Sequence, residues 1–202
     1  MDQRTNTGPI ITLPNGKYDH DLHIYRAGGR IIPGATEILR DAGFEYPAGN
    51  MDKGKAVHLA TQFYDEYTLN PDRYGFPVVG DDIYGYLEGW IKFRKETGFV
   101  PTRIEEPNIN ATLCFGATLD REGVVTGNKA HWLVEVKKYF PPPFTALQLA
   151  LQDLTLPKLS RPRKLVAVEL RPNGDYHIYR YDDPNDRQMA LFLVSLYWYK
   201  RK

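Results

Sequence analysis

Gly116-Ala117-Thr118-Leu119-Asp120 and, after a short polar turn, His131-Trp132-Leu133-Val134-Glu135-Val136-Lys137-Lys138 form the stretch on which the reading of the chain depends. Asp120 falls at the predicted end of one strand. Glu135 and Lys137 sit two apart on the next, and residues i and i+2 of a strand share a face. Two carboxylates and an ammonium drawn together in this way offer hard oxygen ligands to a divalent cation and a group that positions water, which is what phosphodiester hydrolysis requires. Taken alone, charges alternating with Trp132, Val134 and Val136 also fit the wet side of an antiparallel strand packed on one face. The flanking sequence therefore carries weight.

Upstream, Arg103 to Asn110 and Leu113 to Asp120 read as paired strands, and a Gly- and Asn-containing loop leads to a third strand from His131 to Tyr139. Pro141-Pro142-Pro143 forbids continuation of the ladder. Thr145 to Leu156 then has helical periodicity, with Leu147, Leu151 and Leu154 on its apolar side and Gln148 and Gln152 on another face. Before these strands, Asp81 to Thr97 reads as a helix that turns Ile83, Leu87, Trp90, Ile91 and Phe93 inward and ends at Gly98. Asp52 opens a longer helix to about Leu69, with Val57, Ala60, Phe63, Tyr64 and Tyr67 on its core stripe and His58 at the border.

The ends add smaller elements. Leu22 to Tyr25 and Arg30 to Ile32 flank a glycine turn and predict an N-terminal hairpin, Thr36 to Ala42 a short helix, and residues 1–10 a frayed end. Arg163 to Leu170 and Asp175 to Tyr181 flank Asn173-Gly174, a hairpin signal, and Asp183-Pro184 opens a C-terminal helix. The expected fold is thus α/β (α+β): a central mixed sheet flanked by helices, with a core at about 81–171 and additions at both ends. A sheet covered on both faces buries the acids and the lysine, and buried charges need a metal or one another.

The 202 residues suit one domain. Their 42% hydrophobic and 25% charged content is that of a soluble globular protein, and no apolar run approaches the roughly 20 residues of a membrane helix. The N-terminus lacks a secretory pattern and Cys114 is a single cysteine, so the expected setting is reducing and cytoplasmic. A formal charge of +1 excludes a surface that coats nucleic acid broadly, leaving local tracts such as Arg161 to Lys164 and Lys200 to Lys202, each expected as a solvated loop or tail.

Five segments in order resemble the PD-(D/E)XK nucleases, in particular the RecB-like and phage-type exonuclease branch, over most of the chain from about Ile32. Ile32-Pro33-Gly34-Ala35-Thr36-Glu37-Ile38-Leu39 is similar to the branch's Pro-Ser-Val-Thr-x-Ile-Leu segment, and Gly54-Lys55-Ala56-Val57-His58 to its Gly-x-x-x-His helix. Gly116 to Asp120 resembles the Gly-Thr-Leu-Asp element, Glu135-Val136-Lys137 the Asp/Glu-x-Lys element, and Leu147-Gln148-Leu149-Ala150 the Leu-Gln-x-Ala helix.

The resemblance implies a Mg²⁺ or Mn²⁺ site with Asp120 and Glu135 as ligands, the Val136 carbonyl completing the shell and His58 as a further ligand. It implies that Lys137 orients or deprotonates the attacking water and that Gln148 assists. An upstream acid is also expected: Glu105 fits the family spacing best when Pro107 is aligned, with Glu106 the alternative, and adjacent strand residues face opposite ways, so only one serves. Gln152 stands where the family's Gln-x-x-x-Tyr helix carries its tyrosine. A single cysteine excludes the four-cysteine iron-sulfur cluster of some relatives.

The function implied is a metal-dependent DNase, an exonuclease of phage or mobile-element recombination type, in a bacterium or phage-infected host. An endonuclease on the same fold and a silent DNA-binding or assembly module are the alternatives. DNA is the expected partner, with a single-strand annealing or recombination protein and a homo-oligomer as further candidates. Tyr46, Tyr84 and Tyr86 are candidates for stacking on frayed bases.

Overall fold

From Trp132 to Lys137 every residue is buried, with Trp132, Val134 and Val136 directed to one side and Leu133 to the other. That pattern belongs to a strand covered on both faces, and it sets the layering. In the computed structural model, which describes residues 10–45 and 51–202, the chain is mixed α/β, with two sheets and five helices among those residues.

Strands β1 (Ile10–Leu13), β2 (Gly16–Asp19), β3 (Ile24–Ala27) and β4 (Arg30–Ile32) form an antiparallel meander, followed by α1 (Ala35–Asp41), α2 (Met51–Leu69) and α3 (Asp81–Thr97). Next come β5 (Phe99–Asn110), β6 (Phe115–Val125), β7 (Ala130–Lys137), α4 (Thr145–Thr155), β8 (Lys164–Leu170), β9 (Tyr176–Tyr181) and α5 (Asn185–Tyr199). The main sheet has the order β5-β6-β7-β8-β9 and is antiparallel except where β7 pairs with β8. Helix α4 makes the crossover that a parallel pair requires.

Helices α2 and α3 cover one face, where Val57, Trp90, Phe93 and Phe99 pack on Val134, Val136 and Val166. Helices α1, α4 and α5 cover the other, packing Leu39, Leu149, Leu151 and Val194 against Phe115, Leu119 and Leu133. Each such fully buried large side chain contributes about 1.5–3 kcal/mol by leaving water.

Several sequence expectations are corrected. The N-terminal hairpin is the second half of a four-stranded meander whose first two strands were hidden by Gly16, Lys17 and Asp19. Ile10, assigned to a frayed end, begins β1. The core does not stop near residue 171: β9 is the fifth strand, and α5 buries Ala190, Leu193, Val194 and Tyr197 in the α1 and α4 layer. On α2, Phe63 is exposed while Thr61 and Asp65 are buried, because beyond Val57 and Ala60 that helix meets a buried arginine. Arg163, placed in a solvated tract, is buried against Glu122 and Asp153. Lys200 and Arg201 grip Asp41 at the end of α1, both at 3.0 Å.

The meander joins the main sheet through Gly34 and Gly116, where the Gly116 amide donates to the Pro33 carbonyl at 2.9 Å. The Tyr25 ring lies against Gly116, and a Cβ there would come within 2.2 Å of Cδ1. Gly116→Ala is therefore expected to cost about 1–3 kcal/mol by overpacking. Thermal unfolding checks this, and an unchanged melting temperature would show that the ring moves aside freely.

Candidate active site

The ladder between β6 and β7 ends at the pair Arg121 and Val134, and the strands part beyond it. Into the gap goes Asp120, whose Oδ2 accepts the Val136 amide at 2.7 Å, so a side chain replaces the missing ladder bond. At the same place β6 changes the face it gives to the core. Phe115, Ala117 and Leu119 join the α4 layer, whereas Arg121 and Val125 turn to the α2 and α3 layer. Beside this switch on β5, Glu105 holds φ at +46°, a left-handed conformation that costs a non-glycine residue about 1–2 kcal/mol. Such strain persists only where the surroundings enforce it, and the Arg121 guanidinium does so by donating to Glu105 Oε1 at 2.6 Å.

Glu135 and Lys137 share the other face of β7, as their spacing predicted. Lys137 Nζ donates to Glu135 Oε1 at 2.8 Å, and Gln148 Nε2 donates to the same oxygen at 2.6 Å. Gln152 Nε2 donates to Glu135 Oε2 at 2.9 Å and lies 3.2 Å from the Thr118 carbonyl. The two glutamines of α4 are thus not surface residues. One helical turn apart, they clamp a single buried carboxylate.

The third part of the site comes from α2. His58 Nδ1 lies 3.6 Å from Asp120 Oδ2 and 3.8 Å from Glu105 Oε1. His58, Glu105 and Asp120 each place one ligand atom within 4.8 Å of the others, and among the described residues they are the one group of this kind. Between the two upstream acids the geometry selects Glu105, since Glu106 turns outward to Arg103 at 3.5 Å. Glu135 lies outside the three-ligand group, and Val136 gives the site its amide. A groove of about 430 Å³ opens over His58, Glu105, Val136 and Lys137, with Lys55 and Lys138 also lining it. Of the tyrosines read as stacking candidates, Tyr86 is core and Tyr84 is exposed away from this groove; Tyr46 lies outside the described residues. Tyr139 lines the groove instead.

Crowding of like charge marks the cluster. Burial and the neighbouring Glu135 push the Asp120 carboxyl up to about 7, against the pull of His58 and Lys137. His58 is raised to about 9: its burial opposes the cation, but Asp120 and Glu105 outweigh it. Glu105 is held below the usual carboxylate range despite burial, because His58 and Arg121 stabilise its charge. Asp120, His58 and Glu105, close together and with their affinities for protons driven apart, suit proton handling and cation capture.

The residues missed in the sequence are those that support this cluster. Arg121 is buried and bonded to Asp65, Glu105 and Thr61, and nothing local marks an arginine after Asp120 as interior. No protein-family model matches the chain, and no curated protein matches it.

Proposed function

We propose that the chain is a metal-dependent DNA nuclease with a PD-(D/E)XK core, acting as an exonuclease of recombination or repair type. The observation that carries this reading is the meeting of Asp120, Glu135 and Lys137 with His58 and Glu105 at the point where β6 and β7 part, under an open groove. The donor set fits a hard or borderline dication: two carboxylates suit Mg²⁺ and Mn²⁺, and the imidazole favours the latter. A dication also relieves the charge crowding that lifts Asp120. His58, Glu105 and Asp120 would hold it, and it would supply Lewis acidity toward the phosphoryl group and lower the pKa of water.

The remaining groups belong to the chain itself. Lys137, hydrogen-bonded to Glu135, faces the groove and would donate to a phosphate oxygen as negative charge grows there. Glu135 is fixed by Gln148 and Gln152, so both the carboxylate and the ammonium are oriented before substrate arrives.

Cation binding is expected to depend on pH. Ligation needs Asp120 ionised and His58 neutral, so protons leave and affinity rises with pH. Between about pH 7 and 9 His58 alone still carries its proton, and Mn²⁺ affinity gains about tenfold per unit, more steeply below 7 where Asp120 is protonated as well. Calorimetric titration across that range checks the slope, and a flat profile would remove His58 from the ligand set.

The functional test is digestion of end-labelled linear and covalently closed circular DNA by the wild type and Glu135→Ala, each with Mg²⁺, Mn²⁺ or EDTA. Loss of linear DNA alone, abolished by EDTA and by the substitution, is the expected result. Cutting of circles would make it an endonuclease. Intact DNA with both metals would overturn the nuclease reading in favour of a silent binding module.

A further inference from the structure

At the far end of β7 from the candidate active site lies a second recess, of about 490 Å³, formed by the β6–β7 turn and the segment between α4 and β8. Lys129, His131, Arg161 and Lys164 line it together with Asn128 and Ser160, and no acidic residue does. In a chain whose 26 Lys and Arg are balanced by 25 Asp and Glu, three Lys and Arg side chains beside a histidine around one concavity are a local concentration of positive charge. None of the four makes a side-chain hydrogen bond or ion pair with a described residue.

The acids that pair with the neighbouring Arg163 are taken up elsewhere. Glu122 pairs with Arg163 and Arg103, and Asp153 with Arg163 and Arg187. These buried pairs also fix the platform. Arg163 Nη2 donates to the Pro157 carbonyl at 3.0 Å, and Arg187 Nη2 donates to the Arg163 carbonyl at 2.9 Å, pinning the segment from below while Arg161 and Lys164 project outward. On the facing turn Asn128 Oδ1 accepts the Ala130 amide at 3.0 Å, and Lys129 is held at φ +53°. Cations on two braced segments around a hollow suit a polyanion whose charges recur at intervals, and phosphates recur so along a nucleic-acid strand.

We propose that this recess is a second nucleic-acid contact, binding backbone phosphates of the strand or duplex engaged at the active-site groove. The inference rests on the nuclease reading for the identity of its occupant. At ~3.3 Å per residue, the eight-residue β7 separates the two sites by about 20–25 Å, or roughly seven base pairs at ~3.4 Å each. Substrates shorter than this would reach only one of them.

The test is equilibrium binding in EDTA, which removes cleavage, of 4-nucleotide and 20-nucleotide oligomers, single-stranded and duplex for the longer one, by fluorescence anisotropy at several salt concentrations. The wild type is expected to bind the 20-mer more tightly than the 4-mer. Lys129→Ala/Arg161→Ala/Lys164→Ala should lose at least about tenfold in affinity for the 20-mer, with the salt slope reduced by about 2–3, and keep its affinity for the 4-mer. Because all three residues are exposed, the variant folds as the wild type does, which circular dichroism verifies. An unchanged 20-mer affinity or salt slope, or a wild type indifferent to length, would overturn the proposal. Loss of length-dependent binding in a protein that cuts nothing with either metal would uphold the recess while removing the nuclease reading.

Discussion

Arg121→Met is expected to lower the unfolding free energy by about 3–5 kcal/mol, the cost of leaving a buried charge without its partner. The Arg121 side chain is wholly buried: Nε donates to Asp65 Oδ2 at 2.5 Å, Nη1 to Glu105 and to the Asp120 carbonyl at 2.6 Å each, and Nη2 to Thr61 at 3.1 Å. Without it, Asp65 keeps Arg94 at 2.7 Å and the Trp90 ring nitrogen at 2.9 Å, too little for a carboxylate with no exposed surface. Burial already lifts Asp65 against the pull of Arg121 and Arg94, so the variant is expected to take a proton there on folding. Chemical denaturation measures the loss. Arg121→Met/Asp65→Leu should recover part of it, since removing both partners spares the orphaned charge. A single variant within about 1 kcal/mol of wild type would show that Arg121 does not tie α2 to the sheet.

For the proposed nuclease, Lys137→Met is expected to reduce DNA cleavage by about 10²–10⁴-fold at saturating Mn²⁺ while the protein still folds and binds metal. The methionine keeps the length of the side chain and removes the ammonium that Glu135 holds toward the groove. Because Lys137 helps to keep the Asp120 carboxyl ionised, its loss should also move the pH profile of metal binding upward. The two readouts separate roles. Cleavage within about tenfold of wild type, with the binding profile shifted, would leave Lys137 as a neighbour that tunes Asp120 and not as a group acting on the phosphate.

Much of this site was legible in the sequence because its signals are local. The two-residue spacing of Glu135 and Lys137 survives any rearrangement of the sheet, and the glycines and prolines around β7, α4 and the β8–β9 turn fix where each element ends. The continuation of β6 through Asp120 to Val125 was not legible. Arg121-Glu122-Gly123 reads as a polar turn until Asp65 and Arg163, distant in sequence, neutralise those charges inside the fold. Gln148 was expected near the site through the resemblance alone, and the contact made by Gln152 was not expected. A glutamine pair on a helix looks wet unless the carboxylate it serves is known to lie beneath it. The family spacing favoured Glu105 over Glu106, but the left-handed backbone conformation at Glu105 is one that no periodicity announces.

The parallel pairing of β7 with β8 has a consequence for biosynthesis. Hairpins such as β6 with β7 close as soon as they leave the ribosome, but a parallel neighbour cannot register until the whole crossover through α4 has been made. Only then are Gln148 and Gln152 set against Glu135, and only then is β7 shielded on its second edge. A nascent chain ending before β8 thus carries the acids and the lysine without the frame that aims them. If the chain cuts DNA as proposed, that competence would arrive with completed folding and not with the appearance of the side chains themselves.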